Sequence, residues 1–281
     1  MRIGYQGEPL SYSYRAATEL YPDHDLVGLH SFVACFAALE HGTVDRLVLP
    51  VENSTTGSVL PVLDRLPRRD GRPPFSIVSE HLVEVRHAIL GIPGATLGEV
   101  RAVRSHPEAL AQAEGRLLEL GIAELVTHDT AGAVREVAEA GDPTIAALAL
   151  PEAAAAHGLV VLAENVLDRD HNTTRFVVIA PGEPTVDHDD DKTTIVFTTA
   201  HTPGALALAL TELGLRGANL TRIESRPSDE AWTYRFFVDL EHEPGPGGLA
   251  HVIDPAPATL AHLEVLGSYQ AARLGTGRAV G

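Results

Sequence analysis

The stretch Val48-Leu49-Pro50-Val51-Glu52-Asn53-Ser54-Thr55-Thr56-Gly57-Ser58 combines two features that decide the fold. Its first four residues are apolar and complete a predicted strand, Arg46–Val51. Five consecutive polar side chains then precede Gly57, and a helix is predicted over Val59–Arg65. Because the first N–H groups of a helix are unpaired, such a turn can hold a carboxylate. Five polar residues exceed the needs of one helix cap, and both capping and ligand binding stay open here.

Two other segments have the same form, in which an apolar strand leads through a short polar turn into a helix. They are Gly4-Tyr5-Gln6-Gly7-Glu8-Pro9-Leu10-Ser11-Tyr12-Ser13 and Val103-Arg104-Ser105-His106-Pro107-Glu108-Ala109-Leu110-Ala111-Gln112. Several helix N-termini that converge on one cleft would make an anion site without lysine. Ser105 and Glu108 also match an S-x-x-E capping box, which explains both residue types without a ligand. The two interpretations remain alternatives at these turns.

The first 180 residues alternate β-rich runs with alanine-rich helical patterns, which predicts an α/β protein with largely parallel sheets. The predicted strands are Arg2–Tyr5, Arg46–Val51, Phe75–Glu80, Val100–Arg104, Leu125–His128, Ile145–Leu148 and Arg175–Ile179. The predicted helices are Tyr12–Tyr21, Ser31–Glu40, Val59–Arg65, Pro107–Leu120 and Ala131–Ala140.

A polar, acidic and proline-containing linker over residues 182–191 separates this part from a second pattern. Strands are predicted at Lys192–Thr199, Leu220–Ser225, Tyr234–Leu240 and Glu264–Tyr269, and helices from Pro203 to about Leu213 and around Ala256–Leu263. The run from Glu243 to Gly248 is interpreted as a loop. This βαββαβ order predicts a ferredoxin-like domain over residues 192–270, followed by a tail over 271–281 that lacks apolar periodicity.

Composition excludes several classes of function. The formal net charge is −17, which argues against nucleic acid or an anionic membrane as a partner. The sequence lacks an apolar run of about 18 residues, so we expect a cytoplasmic protein. Its single cysteine, Cys35, lies in an apolar run and is interpreted as a core residue. The fourteen histidines are scattered, and we predict no metal site.

The segment Asn165-Val166-Leu167-Asp168-Arg169-Asp170-His171-Asn172-Thr173-Thr174-Arg175-Phe176 is the other concentration of polar groups. It leads into the apolar strand Phe176-Val177-Val178-Ile179. Active sites of α/β proteins often lie at such strand margins, although an ordinary loop would have the same composition.

Taken together, these motifs resemble the prephenate dehydratase family. The resemblance is carried by Gly4–Glu8, Pro50–Ser54, Ser105–Pro107, Leu110–Gln112 and Asn172–Phe176, and by Gly204–Ala207, Ile223–Pro227 and Val265–Tyr269 in the second domain. It implies the monofunctional enzyme, with a catalytic domain over residues 1–181 and a C-terminal ACT regulatory domain. The catalytic domain would resemble a periplasmic binding protein, with one subdomain from 1–79 and 159–181, the other from 80–158, and a cleft between them.

The family reaction removes CO2 and water from prephenate to give phenylpyruvate, and aromatisation drives it without a cofactor or metal. By resemblance, Thr174 serves the departing hydroxyl, either as a proton donor or as a hydrogen-bond donor to the developing charge. The same resemblance assigns catalytic roles to Phe176, Asn53, Gln112 and Ser105, and substrate binding to Ser11, Glu52, Ser54, Thr55, Thr173 and Arg175. Strand alternation places Thr174 and Phe176 on one face and Arg175 on the other. Arg175 is therefore either a charge partner in the cleft or a structural ion pair facing away.

The ACT resemblance implies a phenylalanine site between subunits of a homodimer or homotetramer. Its residues would be Gly204, Ala205, Leu206, Asn219, Leu220, Glu224, Ser225, Arg226 and Pro227. The sequence departs from the family pattern at Thr127-His128-Asp129-Thr130, where many relatives carry an acidic residue just before the helix cap. Either Asp129 replaces that residue or the acid is dispensable. Two rival functions stay open: dehydration of arogenate instead of prephenate, and non-catalytic amino-acid sensing. An acyl-transfer hydrolase has no G-x-S-x-G motif to support it.

Overall fold

The computed structural model describes residues 1–68, 71, 73–128, 130–169, 171–228 and 232–273. The strands are β1 (Arg2–Gln6), β2 (Asp25–Leu29), β3 (Arg46–Asn53), β4 (Gly57–Ser58), β5 (Phe75–Glu84), β6 (Ala88–Gly91), β7 (Ala102–Ser105), β8 (Ala123–Val126), β9 (Ile145–Ala149), β10 (Val160–Ala163), β11 (Thr173–Pro181), β12 (Lys192–Thr199), β13 (Asn219–Pro227), β14 (Tyr234–Glu241) and β15 (Leu260–Tyr269). They alternate with helices, as the α/β prediction requires.

The helices are α1 (Tyr12–Leu20), α2 (Phe32–Glu40), α3 (Leu60–Leu63), α4 (Pro107–Ala111), α5 (Glu114–Leu120), α6 (Thr130–Ala140), α7 (Ala153–Ala156), α8 (Ala205–Leu215) and α9 (Gly245–Ile253), and Leu97–Glu99 forms a 3-10 turn. The predicted helix Pro107–Leu120 is divided in two, because the chain leaves helical geometry at Ala113. None of the helices in the described ranges is both long and apolar enough to cross a membrane.

Within the described residues, the strands form one sheet of ten and one of five. The larger follows the order β13-β14-β12-β15-β5-β11-β3-β1-β2, with β4 beside β3, and the smaller follows β10-β6-β9-β7-β8. The sheets are mixed rather than largely parallel, because β11 in the larger sheet and β6 in the smaller one each run antiparallel to both neighbours. The strands β2, β6 and β10, which the sequence analysis missed, are short and lack a long apolar run.

The chain crosses between the two sheets twice, and the predicted boundaries at 80 and 159 differ from the structure. β5 continues in the larger sheet to Glu84, whereas β10 pairs with β6 in the smaller one. The crossings therefore lie at residues 85–87 and 164–172. They bond to each other, since the Val85 amide donates to the Asn172 carbonyl at 2.8 Å and the Val166 amide to the His87 carbonyl at 3.1 Å.

The C-terminal part has the predicted βαββαβ order, with strands arranged β13-β14-β12-β15 as in a ferredoxin-like fold. The position of its second helix was predicted wrongly. The run interpreted as a loop begins α9, where Pro246 occupies the first turn and Leu249 and Val252 are buried. The predicted helix around Ala256–Leu263 instead leads into β15, which starts at Leu260. Tertiary burial of α9 thus overrides the low helix propensity of its glycines.

The strands of the C-terminal part continue the larger sheet through the parallel pairing of Gly267 on β15 with Ile77 on β5. A Cβ atom at position 267 would collide with the Ile77 carbonyl oxygen. Glycine is therefore required for the backbones to approach so closely. One core cluster runs across this joint, since Ile77 and Val177 pack with Val196 and Leu266.

Candidate active site

The candidate active site is built where the end of β3 lies beside the start of β11, with Thr174 paired to Asn53 in the register. The Asn53 side-chain amide donates to the Asn172 amide oxygen at 2.7 Å and to the Thr174 hydroxyl oxygen at 3.0 Å. All three side chains are buried or nearly so. Because an amide group can only donate through its nitrogen, the Thr174 hydroxyl keeps its own proton for another acceptor.

The polar run after β3 forms a turn around the other end of the Asn53 side chain. Its oxygen accepts from the Thr55 amide at 2.9 Å, the Thr55 hydroxyl at 2.6 Å and the Thr56 amide at 3.1 Å. This is an Asx turn, a local motif that asparagine favours. The turn leads into β4 rather than directly into a helix, and α3 begins only at Leu60 without a side-chain cap. The predicted helix therefore forms within its predicted range, Val59–Arg65, but the short strand β4 separates it from the polar turn.

Ser54 and Thr173 hold the two strand ends together. The Ser54 amide donates to the Thr173 carbonyl at 2.9 Å, and the Thr173 amide donates to the Ser54 hydroxyl oxygen at the same distance. Both residues therefore position the backbone beside Thr174.

The opposite wall belongs to the smaller sheet and contributes Gln112 and Glu108. The Asn172 side-chain nitrogen donates to the Gln112 amide oxygen at 2.9 Å, and the Thr56 hydroxyl donates to the Glu108 carboxylate at 2.7 Å. A cavity of about 290 Å3 opens between these walls. It is lined by Thr55, Thr56, Glu108, Ala111, Gln112, Leu167, Asp168, Arg169 and Asn172. Asn53 is hydrogen-bonded to the lining residues Thr55 and Asn172, and Thr174 is hydrogen-bonded to Asn53. Both therefore lie directly beneath the lining.

Asp168 and Arg169 lie in the polar segment before β11 and were not among the predicted site residues. The Asp168 carboxylate accepts from the Gly115 amide at 2.9 Å and the Arg116 amide at 2.8 Å, which caps α5 from a distance. Arg169 adds a positive charge to the cavity. The sequence could have indicated this residue, because an arginine three positions before Asn172-Thr173-Thr174 suits an anionic ligand.

Three predicted site residues, Ser105, Ser11 and Phe176, do not line the cavity and instead stabilise the structure around it. Ser105 is fully buried and donates to the Leu148 carbonyl at 2.6 Å, so it does not form the predicted capping box. His106 caps α4 instead, accepting from the Glu108 amide. Ser11 caps α1 by accepting from the Tyr14 amide at 3.2 Å. Phe176 is buried in the core with Ile3 and Val48.

Arg175 faces away from the cavity, so of its two alternative roles the structural ion pair is the one observed. Its guanidinium donates to Glu52 at 3.2 Å, Glu80 at 3.0 Å and Asp239 at 2.5 Å. It is therefore a structural ion pair and does not line the cavity. Glu52 is engaged in the same contacts, which also corrects its assignment to the substrate. The interpretation of Asp129 falls outside the described residues.

A buried contact at the first crossing also escaped the sequence analysis. The Tyr12 hydroxyl donates to the Arg86 carbonyl at 2.6 Å and lies 3.2 Å from Nδ1 of His87. Burial raises the pKa of Tyr12 well above its ordinary range and lowers the pKa of His87 to about 4. His87 is therefore neither a surface nor a capping residue: its ring is buried and packs edge-on against the Tyr12 ring.

The predicted effector residues lie on α8 and on the edge strand β13. Gly204 precedes α8 with a φ of +82°, Ala205 is buried and Leu206 packs against the domain core. Arg226 pairs with Asp64 of the first domain at 2.6 Å, and the Asn219 side chain donates to Glu241 at 3.0 Å. Leu220, Glu224, Ser225 and Pro227 complete the set along β13.

Comparison with known proteins agrees with this geometry. A family model described as prephenate dehydratase matches residues 3–184. Arogenate dehydratase/prephenate dehydratase 1 of Arabidopsis thaliana is 36% identical over 286 residues, covering 96% of this chain and 72% of the relative. A bifunctional N-acyl-homoserine lactone acylase/prephenate dehydratase of Komagataeibacter europaeus is 36% identical over 272 residues, covering 96% and 95%.

Solved structures give the same answer for the fold. The prephenate dehydratase of Arthrobacter aurescens in complex with L-Phe superposes with a TM-score of 0.82 at 27% identity, covering 97% of this chain and 90% of that one. The Staphylococcus aureus prephenate dehydratase superposes with a TM-score of 0.84 at 23% identity, covering 96% and 100%. With the family model spanning well over half of its length, the chain belongs to the prephenate dehydratase family.

Proposed function

We propose that this chain converts prephenate to phenylpyruvate, and that Thr174 assists departure of the ring hydroxyl. The observation that carries the proposal is the Asn53–Thr174 pair at the base of the cavity, where Asn53 donates to the Thr174 hydroxyl at 3.0 Å. This bond orients the hydroxyl and leaves its proton available to the substrate. The cavity of about 290 Å3 is of a size suited to a small cyclic diacid.

In the proposed step the ring carboxylate leaves as CO2 and its bonding electrons form the aromatic ring. The C4–O bond breaks at the same time, and the oxygen leaves with its electron pair. A hydrogen bond from Thr174 stabilises the charge that develops on this oxygen, which then takes up a proton from the solvent to become water. This version needs no unusual acidity of the threonine, because the donor stabilises charge without giving up its proton.

The cavity lining carries two carboxylates, Glu108 and Asp168, and one arginine, so a dianion would bind locally through Arg169 and neutral polar groups. Arg169 is the positively charged lining residue and is the proposed partner of one substrate carboxylate. The Asp168 carboxylate is engaged by the amides of Gly115 and Arg116, and its charge faces the N-terminus of α5. The Gln112 and Thr55 side chains supply neutral polar groups for the other end of the substrate.

The test is to follow phenylpyruvate formation from prephenate with the wild type and with Thr174→Val and Thr174→Ser. Valine has the same shape without the hydroxyl, and we expect it to lower kcat by about 100-fold or more. Serine retains the hydroxyl and should keep a much larger part of the activity. Equal activity of the valine variant and the wild type would refute the role of Thr174.

Arogenate, which carries an amino group where prephenate has a keto group, is tested in parallel. A higher kcat/KM for arogenate would change the substrate assignment and leave the role of Thr174 intact. No turnover of either substrate by a folded wild type would favour the rival function, an amino-acid sensor without catalysis.

For the C-terminal domain, the proposal is that phenylalanine binds between copies of the chain and regulates activity. Its support is the arrangement of Gly204 at the start of α8 and the free edge of β13, together with the exposed apolar residues Leu208 and Ile223. A homodimer or homotetramer would cover that edge. Light scattering with and without phenylalanine tests the assembly, and activity measured at increasing phenylalanine concentration tests the regulation.

A further inference from the structure

A buried charge cluster lies directly behind the candidate active site. It contains three cations and three carboxylates, namely Arg175, Lys192, Arg222, Glu52, Glu80 and Asp239. Five of these side chains are at least nine-tenths buried, and only Glu52 is partly exposed. Charges so deeply buried are costly unless each has partners, so the arrangement is constrained by its own electrostatics.

The cluster joins the two parts of the chain. Glu52, Glu80 and Arg175 come from β3, β5 and β11 of the catalytic part, whereas Lys192, Arg222 and Asp239 come from β12, β13 and β14 of the C-terminal part. Contacts cross the boundary repeatedly.

Arg175 reaches Asp239 at 2.5 Å, Lys192 reaches Glu80 at 2.9 Å, and Arg222 reaches the Ser58 hydroxyl beside the Asx turn at 2.8 Å. Lys192 is the single lysine in a sequence with twenty arginines, and it occupies a central place here.

The cluster is also one residue away from the proposed catalytic pair. Glu52 and Arg175 are cross-strand partners, as are Asn53 and Thr174, and the two pairs point to opposite faces of the sheet. A register irregularity between Arg175 and Phe176 interrupts the β3–β11 pairing at this point. Because the regular pairing is interrupted, side-chain contacts on the opposite face of the sheet contribute more to fixing the position at which β11 begins.

We propose that Asp239 of the C-terminal domain is a positioning residue for catalysis, holding Arg175 so that Thr174 and Asn53 keep their mutual geometry. Asp239 is itself fixed, since its other oxygen accepts from the Thr194 hydroxyl at 2.7 Å. The C-terminal domain then contributes to the active site even without an effector. The catalytic part of this statement rests on the proposed function.

The same contacts offer a path for regulation. Arg222 lies on β13, the strand that also carries the proposed effector residues, and its Nε and Nη1 donors lack hydrogen-bond partners among the described residues. They lie 3.9 Å from Glu52 and 3.8 Å from Asp239. A small shift of β13 would bring Arg222 into bonding distance of Glu52 or Asp239, each of which also binds Arg175, and would change how firmly Arg175 is held.

The experiment compares the full-length wild type with Asp239→Asn, using Asp64→Asn as the matched control. Both substitutions remove one carboxylate charge facing an arginine across the same domain boundary, but Asp64 pairs with Arg226 on β13, whereas Asp239 pairs with Arg175 on β11. Hydrogen exchange is measured over residues 172–177, and kcat and KM are measured with prephenate.

We expect exchange at Thr174 and Arg175 to rise by about tenfold in Asp239→Asn and to stay unchanged in Asp64→Asn. The kcat of Asp239→Asn should fall by about tenfold or more, while KM changes by less than about threefold. A uniform rise in exchange over the whole chain, or none at β11, would overturn the positioning role. If Asp239→Asn does not fold, Thr194→Val replaces it and should give a smaller change in the same direction.

Exchange does not depend on the substrate. An inert wild type would therefore refute the proposed reaction, while the exchange measurement would still decide whether Asp239 holds β11.

Discussion

At the residue scale, Thr174 and Arg175 show how two neighbours on one strand acquire different tasks. Thr174 points to the cavity side and receives a hydrogen bond from Asn53, whereas Arg175 points to the opposite face and pairs with carboxylates from three strands. Strand alternation alone predicts this opposition. It does not predict the partners, because Glu52, Glu80 and Asp239 are far apart in sequence.

Asn53 gives the first prediction at this scale. Asn53→Asp keeps the shape and the acceptor oxygen of the Asx turn but removes the donor to Thr174 and Asn172. We expect kcat to fall by on the order of 10- to 100-fold near neutral pH. As the pH is lowered, the variant should regain part of this loss relative to the wild type, because a protonated carboxyl can donate again. The measurement is a pH profile of kcat for both proteins.

Asn165→Asp is the control, since this exposed residue is not among those lining the cavity. Its profile should follow that of the wild type. An Asn53→Asp variant with full activity near neutral pH would contradict the assigned hydrogen bond.

His87 provides a prediction about pH and stability. Its pKa is lowered from 6.5 to about 4 by burial. Between these two values the unfolded chain binds a proton at this position and the folded chain does not, so acidification favours unfolding. The contribution of the neutral His87 imidazole to the free energy of unfolding is complete above pH 6.5. It falls by on the order of 3 kcal/mol as the pH approaches 4. The free energy of unfolding, measured with urea between these pH values, should therefore depend less on pH in His87→Gln.

His201→Gln is the matched control, because His201 is exposed. Its pH dependence should equal that of the wild type. Parallel curves for the wild type and His87→Gln would show that the imidazole does not titrate in this range.

At the element scale, the joint between β15 and β5 is the most constrained feature. Gly267 lies against the Ile77 carbonyl, with no room for a side chain. The larger sheet is continuous only because these two backbones come together at this point.

We predict that Gly267→Ala lowers the free energy of unfolding by about 1–3 kcal/mol, because one backbone must move away from the other. Gly214→Ala is the control. It adds the same methyl group within α8, where nothing lies within 4 Å, and it should be neutral or stabilising. Chemical denaturation of both variants checks the prediction, and equal stabilities would contradict it.

The element scale also shows what sequence patterns could establish. The βαββαβ order and most strands of the catalytic part were predictable, because their apolar runs are long and their ends carry turn residues. The helix α9 was not predictable, since its glycines and prolines favour a loop. Only the burial of Leu249 and Val252 in the core stabilises the helix. The Asn53 run was recognised as unusual, but only the structure shows that it closes on a neighbouring strand end instead of opening a helix.

At the scale of the whole molecule, the net charge of −17 opposes a doubly negative substrate. Salt screens such long-range repulsion more than it weakens contacts inside the cavity. We therefore predict that raising the ionic strength from about 10 to about 200 mM increases kcat/KM for prephenate roughly twofold or more. Sodium and potassium chloride should act alike, and sucrose should have no such effect. A steady decrease with salt would indicate that a local cation such as Arg169 dominates association.

The continuity of the larger sheet has a consequence for how such proteins diverge. A regulatory domain attached by a flexible tether can be exchanged between relatives as a cassette, leaving the enzyme it serves unchanged. Here a foreign C-terminal domain would have to offer a bare backbone opposite Ile77 and charges that match Glu52, Glu80 and Arg175. The C-terminal domain and the catalytic part of this chain are therefore expected to change together, through substitutions within the existing domain rather than by its replacement.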